Sequence, residues 1–270
     1  MEFGEIFSNS LKYPLSNPQV LIILGVICLV GGLSSVFTQF GVRNTALSLI
    51  LSIVSLLVSF FLFGYALTII KYGIERNDEL PAFDWVKNFV DGIKVFVVSF
   101  VYMIVPTLVV SILGVVSLGP ALSRIFTKAN VNQIATATNS TVAVKTVFSS
   151  VPPEVWSALF SGFSIVSIVA LILFLIFGIF SDIALCRLAK FEEFGQAFNF
   201  GEIFNDIRQI GILKILAFLI IAYIIVAVIA LISGLLVFIP FIGIIISLLI
   251  CPSFSLLFYN RALGLLYSDI

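Results

Sequence analysis

Histidine is absent from this chain of 270 residues, and charged side chains make up only 10% of it. Without histidine the chain lacks the usual proton shuttle and the commonest metal ligand, which excludes many classes of enzyme. The 14 basic and 14 acidic residues cancel, so no excess charge is available to hold a nucleic acid or an anionic substrate by bulk electrostatics. We therefore expect no nucleic-acid partner, no metal and no cofactor.

Cysteine is rare, and the three copies, Cys28, Cys186 and Cys251, occur singly in or beside apolar runs. Neither the paired spacing of a metal site nor that of a secreted disulfide framework is present. This pattern predicts that all three are small buried hydrophobic residues.

Sequence motifs of catalytic sites are also missing. The chain contains no Walker loop, no dinucleotide fingerprint and no nucleophile elbow, and no apolar run carries a pair of carboxylates. An enzyme is therefore the least supported class of protein, and we predict no catalytic residues.

Apolar residues are abundant, at 61% of the chain, against roughly 45–50% in soluble domains. This excess excludes a soluble fold. A charge at the middle of a membrane-spanning helix costs about 2.5–3.5 kcal/mol on insertion scales, so long charge-free intervals mark where a bilayer can lie. Such intervals occupy residues 13–42, 44–70, 95–123, 155–181 and 215–260.

The last interval is too long for one span and carries Ser233, Gly234 and Pro240 near its centre, so it divides into two. The apolar runs are continuous and do not alternate with polar residues, which favours helices over barrel strands. We predict an all-α integral membrane protein with about six transmembrane helices, near residues 20–40, 46–70, 95–117, 157–186, 212–232 and 241–261.

Lysine and arginine predict the orientation, because cytoplasmic loops carry more of them than the loops on the other side. One side has only Arg43, Arg124, Lys128 and Lys145. The other has Lys12, Lys71, Arg76, Lys87, Lys94, Arg187, Lys190, Arg208, Lys214 and Arg261. We expect a multi-pass protein of the cell membrane with both termini in the cytoplasm. An extracytoplasmic loop at about 119–155 contains the acceptor triplet for glycosylation at Asn139.

An internal repeat is visible in the aromatic residues. The segment from Phe3 to Phe7 recurs letter for letter from Phe200 to Phe204, and Trp85 with Phe89 keeps the same aromatic spacing. The repeat predicts one membrane domain of three units, at about 1–75, 80–190 and 191–270. Each unit is an aromatic, amphipathic interfacial segment followed by a helical hairpin. The candidate contacts to lipid or to a partner are Phe3, Phe7, Trp85, Phe89, Phe200 and Phe204.

The third aromatic segment has an apolar face and an acidic face at helical spacing. Asn199 followed by Glu202 is typical of a capping box, so we predict that a helix begins at Phe200. Two interpretations stay open. The three segments either pack against the ends of the spans and set their angles, or form a collar that binds lipid headgroups or a partner.

Asp182 lies at the end of the fourth predicted span, and ionisable groups at membrane depth are candidates for function. Arg187 and Lys190 follow close to the same helical face. The three residues are a candidate polar cluster at the membrane boundary, for which an ion pair is the simpler explanation.

Two stretches resemble a known family. Residues 78–85 (Asp-Glu-Leu-Pro-Ala-Phe-Asp-Trp) and 89–94 (Phe-Val-Asp-Gly-Ile-Lys) look like the prokaryotic, largely archaeal membrane family known as domain of unknown function 4013. The later stretch from Gly195 to Phe198, with Phe200 and Ile203, is similar to that family too. The resemblance implies an archaeal origin and no activity, substrate or cofactor.

Three functions remain in competition. The first is a non-catalytic membrane module that organises lipid or a membrane partner, which includes a second copy of the chain. The second is a small transporter or channel for an apolar or amphipathic molecule, lined by hydroxyl side chains of the spans such as Ser52, Ser59, Thr68 and Ser164. The third, an enzyme that acts on lipids, has the least support.

Overall fold

The computed structural model describes residues 1–42, 44–137, 140–239 and 242–270, and all regular secondary structure in these ranges is helical. The α-helices are α1 (Phe3–Lys12), α2 (Pro18–Gly31), α3 (Leu33–Gln39), α4 (Thr45–Ile74), α5 (Trp85–Ile125), α6 (Lys128–Thr136), α7 (Ser140–Ser149), α8 (Pro153–Phe191), α9 (Phe200–Ile210), α10 (Ile212–Val237) and α11 (Ile242–Tyr267). Short 3-10 helices lie at Tyr13–Leu15 and Phe194–Phe198. The prediction of an all-α fold is confirmed.

Five of these helices, α4, α5, α8, α10 and α11, are long and apolar enough to cross a membrane. The shortest has 26 residues, or about 39 Å at 1.5 Å per residue, which exceeds the hydrocarbon thickness of a bilayer. Their positions match the second to sixth predicted spans. Together they indicate a multi-pass membrane protein.

The helices extend beyond the predicted spans. For the third span we expected residues 95–117, whereas α5 has 41 residues and begins ten residues earlier, at Trp85. Charges mark where a helix leaves hydrocarbon, but they do not end it, because Lys87 and Lys94 in the added segment are good helix formers. The second aromatic segment is therefore the first turn of a spanning helix and not a separate helix.

The first predicted span, at 20–40, is not one continuous helix. It is divided at Gly32 into α2, of 14 residues, and α3, of seven. Two successive glycines at 31 and 32 weaken a helix, because glycine loses the most backbone freedom on folding. The segment Phe3–Leu15 and α2 meet at a bend of 79°, and together they are long and apolar enough to cross a membrane. The described residues therefore contain five spans, or up to six if this bent pair is counted.

The chain forms two compact units, residues 1–99 with 179–270, and residues 100–178. In the first unit α11 packs against α1, α2, α4 and α10. Helices α4 and α5 approach so closely that a Cβ on Gly92 would lie 1.6 Å from the carbonyl oxygen of Phe60. Small residues at helix contacts are typical of membrane proteins, since they let backbones touch.

The second unit contains the predicted loop 119–155, most of which is helical. Ala121, Ile125 and Val155 form a buried cluster, against which Phe148 and Trp156 pack. Helix α8 begins at Pro153, as expected of proline in the first turn of a helix. The predicted glycosylation site, Asn139, lies outside the described residues, as does Arg43.

The three cysteines, Cys28, Cys186 and Cys251, are free and buried. Their prediction as small buried hydrophobic residues is confirmed.

Candidate functional site

Many of the charged side chains of the first unit meet where α4, α8 and α11 end and α5 and α10 begin. Lys71 and Lys87 both bind Glu192, while Arg76 and Lys214 both bind Asp269. We call this part of the unit the basic end. Its basic residues all belong to the set of ten that the sequence assigned to one side of the membrane.

Arg261, on α11, connects the segments of the basic end and is only 1% exposed. Its guanidinium donates hydrogen bonds to four groups: Asn9 Oδ1 at 3.1 Å, the carbonyl oxygens of Tyr72 and Asn77, and the Asp78 carboxylate. The Tyr72 carbonyl belongs to the last turn of α4, where intrahelical partners run out. Arg261 therefore caps α4 and ties it to α1 and to the loop that leads to α5.

The three residues of the candidate boundary cluster do not bind one another in the described structure; each has a different partner. Asp182 accepts from the Tyr259 hydroxyl at 2.7 Å, and Lys190 donates to the Ile270 carbonyl oxygen at 2.8 Å. Arg187 binds Asp206 at 2.7 Å.

Asp206 has a second buried partner, since Tyr267 donates to the same carboxylate oxygen at 2.6 Å. The arrangement joins α8, α9 and α11. Sequence reasoning missed it because Asp206 and Tyr267 are separated by 61 residues.

A cavity of about 490 Å³ opens at the basic end between α4, the start of α5 and the end of α8. Its polar lining consists of three lysines, three carboxylates and one threonine: Lys71, Lys87, Lys94, Asp84, Asp91, Glu192 and Thr68. We call it the charged cavity. A volume of this size matches that of a small-molecule site.

Glu192 holds two of the lysines of the charged cavity. It follows α8 directly in a left-handed conformation (φ 57°), and its Oε1 accepts from Lys71 at 2.7 Å and from Lys87 at 3.3 Å. The hydrogen bond from Lys71, followed by that from Lys87, lowers the pKa of Glu192. One carboxylate therefore pairs with two ammonium groups, which favour its ionised form.

The other acids of the charged cavity have separate roles. Asp91 binds Lys94 at 2.7 Å on the same helix. Asp84 accepts from the backbone N–H of Lys87 at 3.0 Å and so caps the first turn of α5. Asp84, Lys87, Asp91 and Lys94 have the spacing of one helical face, a signal that the sequence carried and that only the neighbouring helices turn into a cavity.

An apolar groove of about 600 Å³ lies on the other side of the first turns of α5. It is lined by α2, α4 and α5 through Val26, Ile27, Val30, Leu57, Val58, Phe61, Trp85, Val86, Phe89 and Val90. Two of the candidate contact residues, Trp85 and Phe89, are therefore in the groove. Val86 and Val90 line both the groove and the charged cavity.

The remaining candidate contacts divide between core and surface. Phe7 is 8% exposed and stacks on Phe218 at 5.6 Å, with Phe3 beside it at 5.9 Å. Phe200 and Phe204, the equivalent residues of α9, are 55% and 52% exposed. The identical pentapeptides thus have different surroundings, which no local pattern could have distinguished.

Both pentapeptides nevertheless start a helix. Glu2 and Glu5 form a capping box at α1, and Asn199 Oδ1 accepts from the Glu202 N–H at 3.3 Å. The predicted start of a helix at Phe200 is confirmed. The middle isoleucine of each copy, Ile6 and Ile203, is fully buried.

Comparison with known proteins identifies one family. The model described as "Protein of unknown function (DUF4013)" matches residues 47–238. All residues that line the charged cavity lie in this range, whereas the α2 side of the apolar groove lies before it. No curated protein and no solved structure matches the chain.

Proposed function

This chain belongs to the family of proteins of unknown function DUF4013, and because membership supplies no activity, we propose from the geometry of the first unit that it is a non-catalytic membrane module whose basic end organises lipid. The observation that carries this proposal is the position of the exposed aromatic rings on α9. Ile203, Ile207 and Ile210 bury one face of the helix, while Phe200 and Phe204 project from it.

Exposed phenylalanines beside charged groups fit the boundary between headgroups and acyl chains better than they fit water. Arg208 lies over the Phe204 ring at 5.6 Å, so the helix offers an apolar surface with a cation at its edge. Such a surface suits a lipid boundary, where phosphates and acyl chains meet.

The topology of the proposal follows the distribution of charge. We expect the basic end in the cytoplasm, together with both termini, because positive residues are retained on that side. The three-unit repeat is part of the proposal too. The starts of α1 and α9 support its first and third units, whereas the second aromatic segment is continuous with α5. An archaeal origin stays a prediction.

The test removes the exposed rings of α9 and leaves its buried face intact. The double variant Phe200→Ala/Phe204→Ala should lose at least half of the lipid that co-purifies with the protein in native membrane discs. Each exposed ring contributes apolar area to the contact, worth about 1–2 kcal/mol when buried. Lipid is quantified by mass spectrometry.

The control is Phe160→Ala/Phe163→Ala, a pair of similarly exposed phenylalanines on α8. It should retain the lipid composition of the unmodified protein. An unchanged amount of lipid in the α9 variant would contradict the proposal. If the variant lost a bound protein and kept its lipid, the exposed rings of α9 would bind a membrane partner and not lipid.

Transport, the second function considered, gains less support. Several hydroxyls that could line a path donate back to the carbonyl four residues earlier in their own helix, including Ser52, Ser59, Thr68 and Ser164. Hydroxyls engaged in this way have no hydrogen left to donate to a permeating molecule, although their oxygens can still accept one.

A further inference from the structure

We infer that the charged cavity and the apolar groove together bind one zwitterionic phospholipid, with its headgroup in the cavity and an acyl chain in the groove. The inference rests on the proposed function and names the class of lipid and the place where it binds. The contacts proposed for α9 specify neither the class of lipid nor this binding place.

The two sites are adjacent across a low ridge of α5. Val86 and Val90, one helical turn apart, line both, and they are 76% and 47% exposed. Nothing among the described residues covers the ridge, so a lipid can pass over it. Its headgroup then lies on one side of the ridge and its acyl chain on the other.

The charges of the cavity select the headgroup. Lys71 and Lys87 share Glu192 as their one ion-pair partner among the described residues, and two ammonium groups beside a single bound carboxylate suit a phosphate. Asp91 is neutralised by Lys94, whereas Asp84 accepts from a backbone N–H and forms no ion pair among the described residues. One negative charge is therefore left for a cationic group of the ligand.

An anionic headgroup fits this arrangement less well. Anionic lipids are attracted to polybasic surfaces, and the cavity contains as many carboxylates as lysines. A headgroup with one phosphate and one ammonium group can pair with both halves, so that no charge is left opposite a like charge.

The groove fits an acyl chain on chemical grounds. Its walls are aliphatic and aromatic side chains of α2, α4 and α5, and Trp85, which stacks on Phe61 at 4.7 Å, lies at the end of α5 nearest the charged cavity. Tryptophan at this depth is typical of the interface between headgroups and hydrocarbon.

The experiment measures the dissociation constants of lipids with identical acyl chains by native mass spectrometry of the full chain in detergent. Phosphatidylethanolamine should bind at least fivefold more tightly than phosphatidylglycerol. The double variant Lys71→Gln/Lys87→Gln should weaken phosphatidylethanolamine binding at least fivefold, and Lys12→Gln, an exposed lysine of α1, should leave it unchanged.

A second variant tests the negative half of the cavity without loss of the helix cap. Asn caps a helix about as well as Asp, so Asp84→Asn should keep the fold and abolish the preference for phosphatidylethanolamine. Glycerophosphoethanolamine, the headgroup without acyl chains, should not compete, because the groove would stay empty. Full competition by glycerophosphoethanolamine would show that the cavity binds a free phosphate compound, and would overturn the inference that its ligand is a lipid.

Equal binding of both lipids, or unchanged affinity in the lysine variant, would also overturn the inference. The two proposals fail separately. If Phe200→Ala/Phe204→Ala loses lipid while Lys71→Gln/Lys87→Gln binds phosphatidylethanolamine with unchanged affinity, the inference about this site is wrong and the proposed function stands. The opposite result keeps the site and removes the role of α9.

Discussion

At the scale of single residues, the basic end depends on a few charged side chains with several partners each. Arg261 binds two backbone carbonyls and two side chains from a buried position. A guanidinium can do this because it has five donors in a fixed plane, whereas an ammonium group cannot reach the same set. The sequence showed Arg261 only as one of ten positive residues, because its partners are distant in the chain.

Glu192 gives a prediction of pH dependence. Its pKa in the folded protein is lowered by the hydrogen bonds from Lys71 and Lys87. Its contribution to stability is therefore present above its ordinary pKa of 4.5 and is lost as the pH falls through the lowered folded value. Glu192→Gln should reduce the free energy of unfolding at pH 7 by up to about 1 kcal/mol, the upper range for exposed ion pairs.

Thermal unfolding in detergent over a pH series checks this prediction. The difference between Glu192→Gln and the unmodified protein should disappear in strongly acidic solution. In a Lys71→Gln/Lys87→Gln background it should be absent at pH 7 as well. A difference that persists in that background would show that Glu192 acts through other contacts.

At the scale of elements, the sequence predicted the long spans well because their apolar runs depend only on local composition. It predicted the ends of α5 and the break at Gly32 poorly. Helix ends depend on capping groups and on packing, such as the Asp84 cap and the Arg261 contact with the end of α4. The Asp84 cap is a local contact, whereas the Arg261 contact joins residues 189 positions apart and is set by tertiary structure.

The crossing of α4 and α5 yields a test at the same scale. Gly92→Ala would place a methyl group 1.6 Å from the Phe60 carbonyl oxygen, so the two helices would have to separate. We expect the free energy of unfolding to fall by about 2 kcal/mol, the usual cost of overpacking. The thermal midpoint in detergent should fall accordingly.

Gly114→Ala is the matched control on the same helix, because a Cβ there meets no atom within 4 Å. It should be neutral or slightly stabilising, since alanine favours a helix by about 1 kcal/mol over glycine. Equal effects of the two substitutions would mean that α4 and α5 are not in close contact.

At the scale of the whole molecule, composition alone predicted a multi-pass helical protein, and five apolar helices agree with it. The candidate site was predicted only in part. Trp85 and Phe89 were selected for their spacing and line the apolar groove, but the charged cavity was not foreseen. It requires α4, α5 and α8 to bring together residues that are up to 125 positions apart, as Leu67 and Glu192 are.

Both proposals require that this protein holds lipid selectively. The direct measurement is the lipid composition of native membrane discs that contain the unmodified protein, compared with that of the surrounding membrane. We expect enrichment of a zwitterionic phospholipid to at least about one molecule per chain. Discs whose lipids match the bulk membrane in every headgroup class would contradict selective binding.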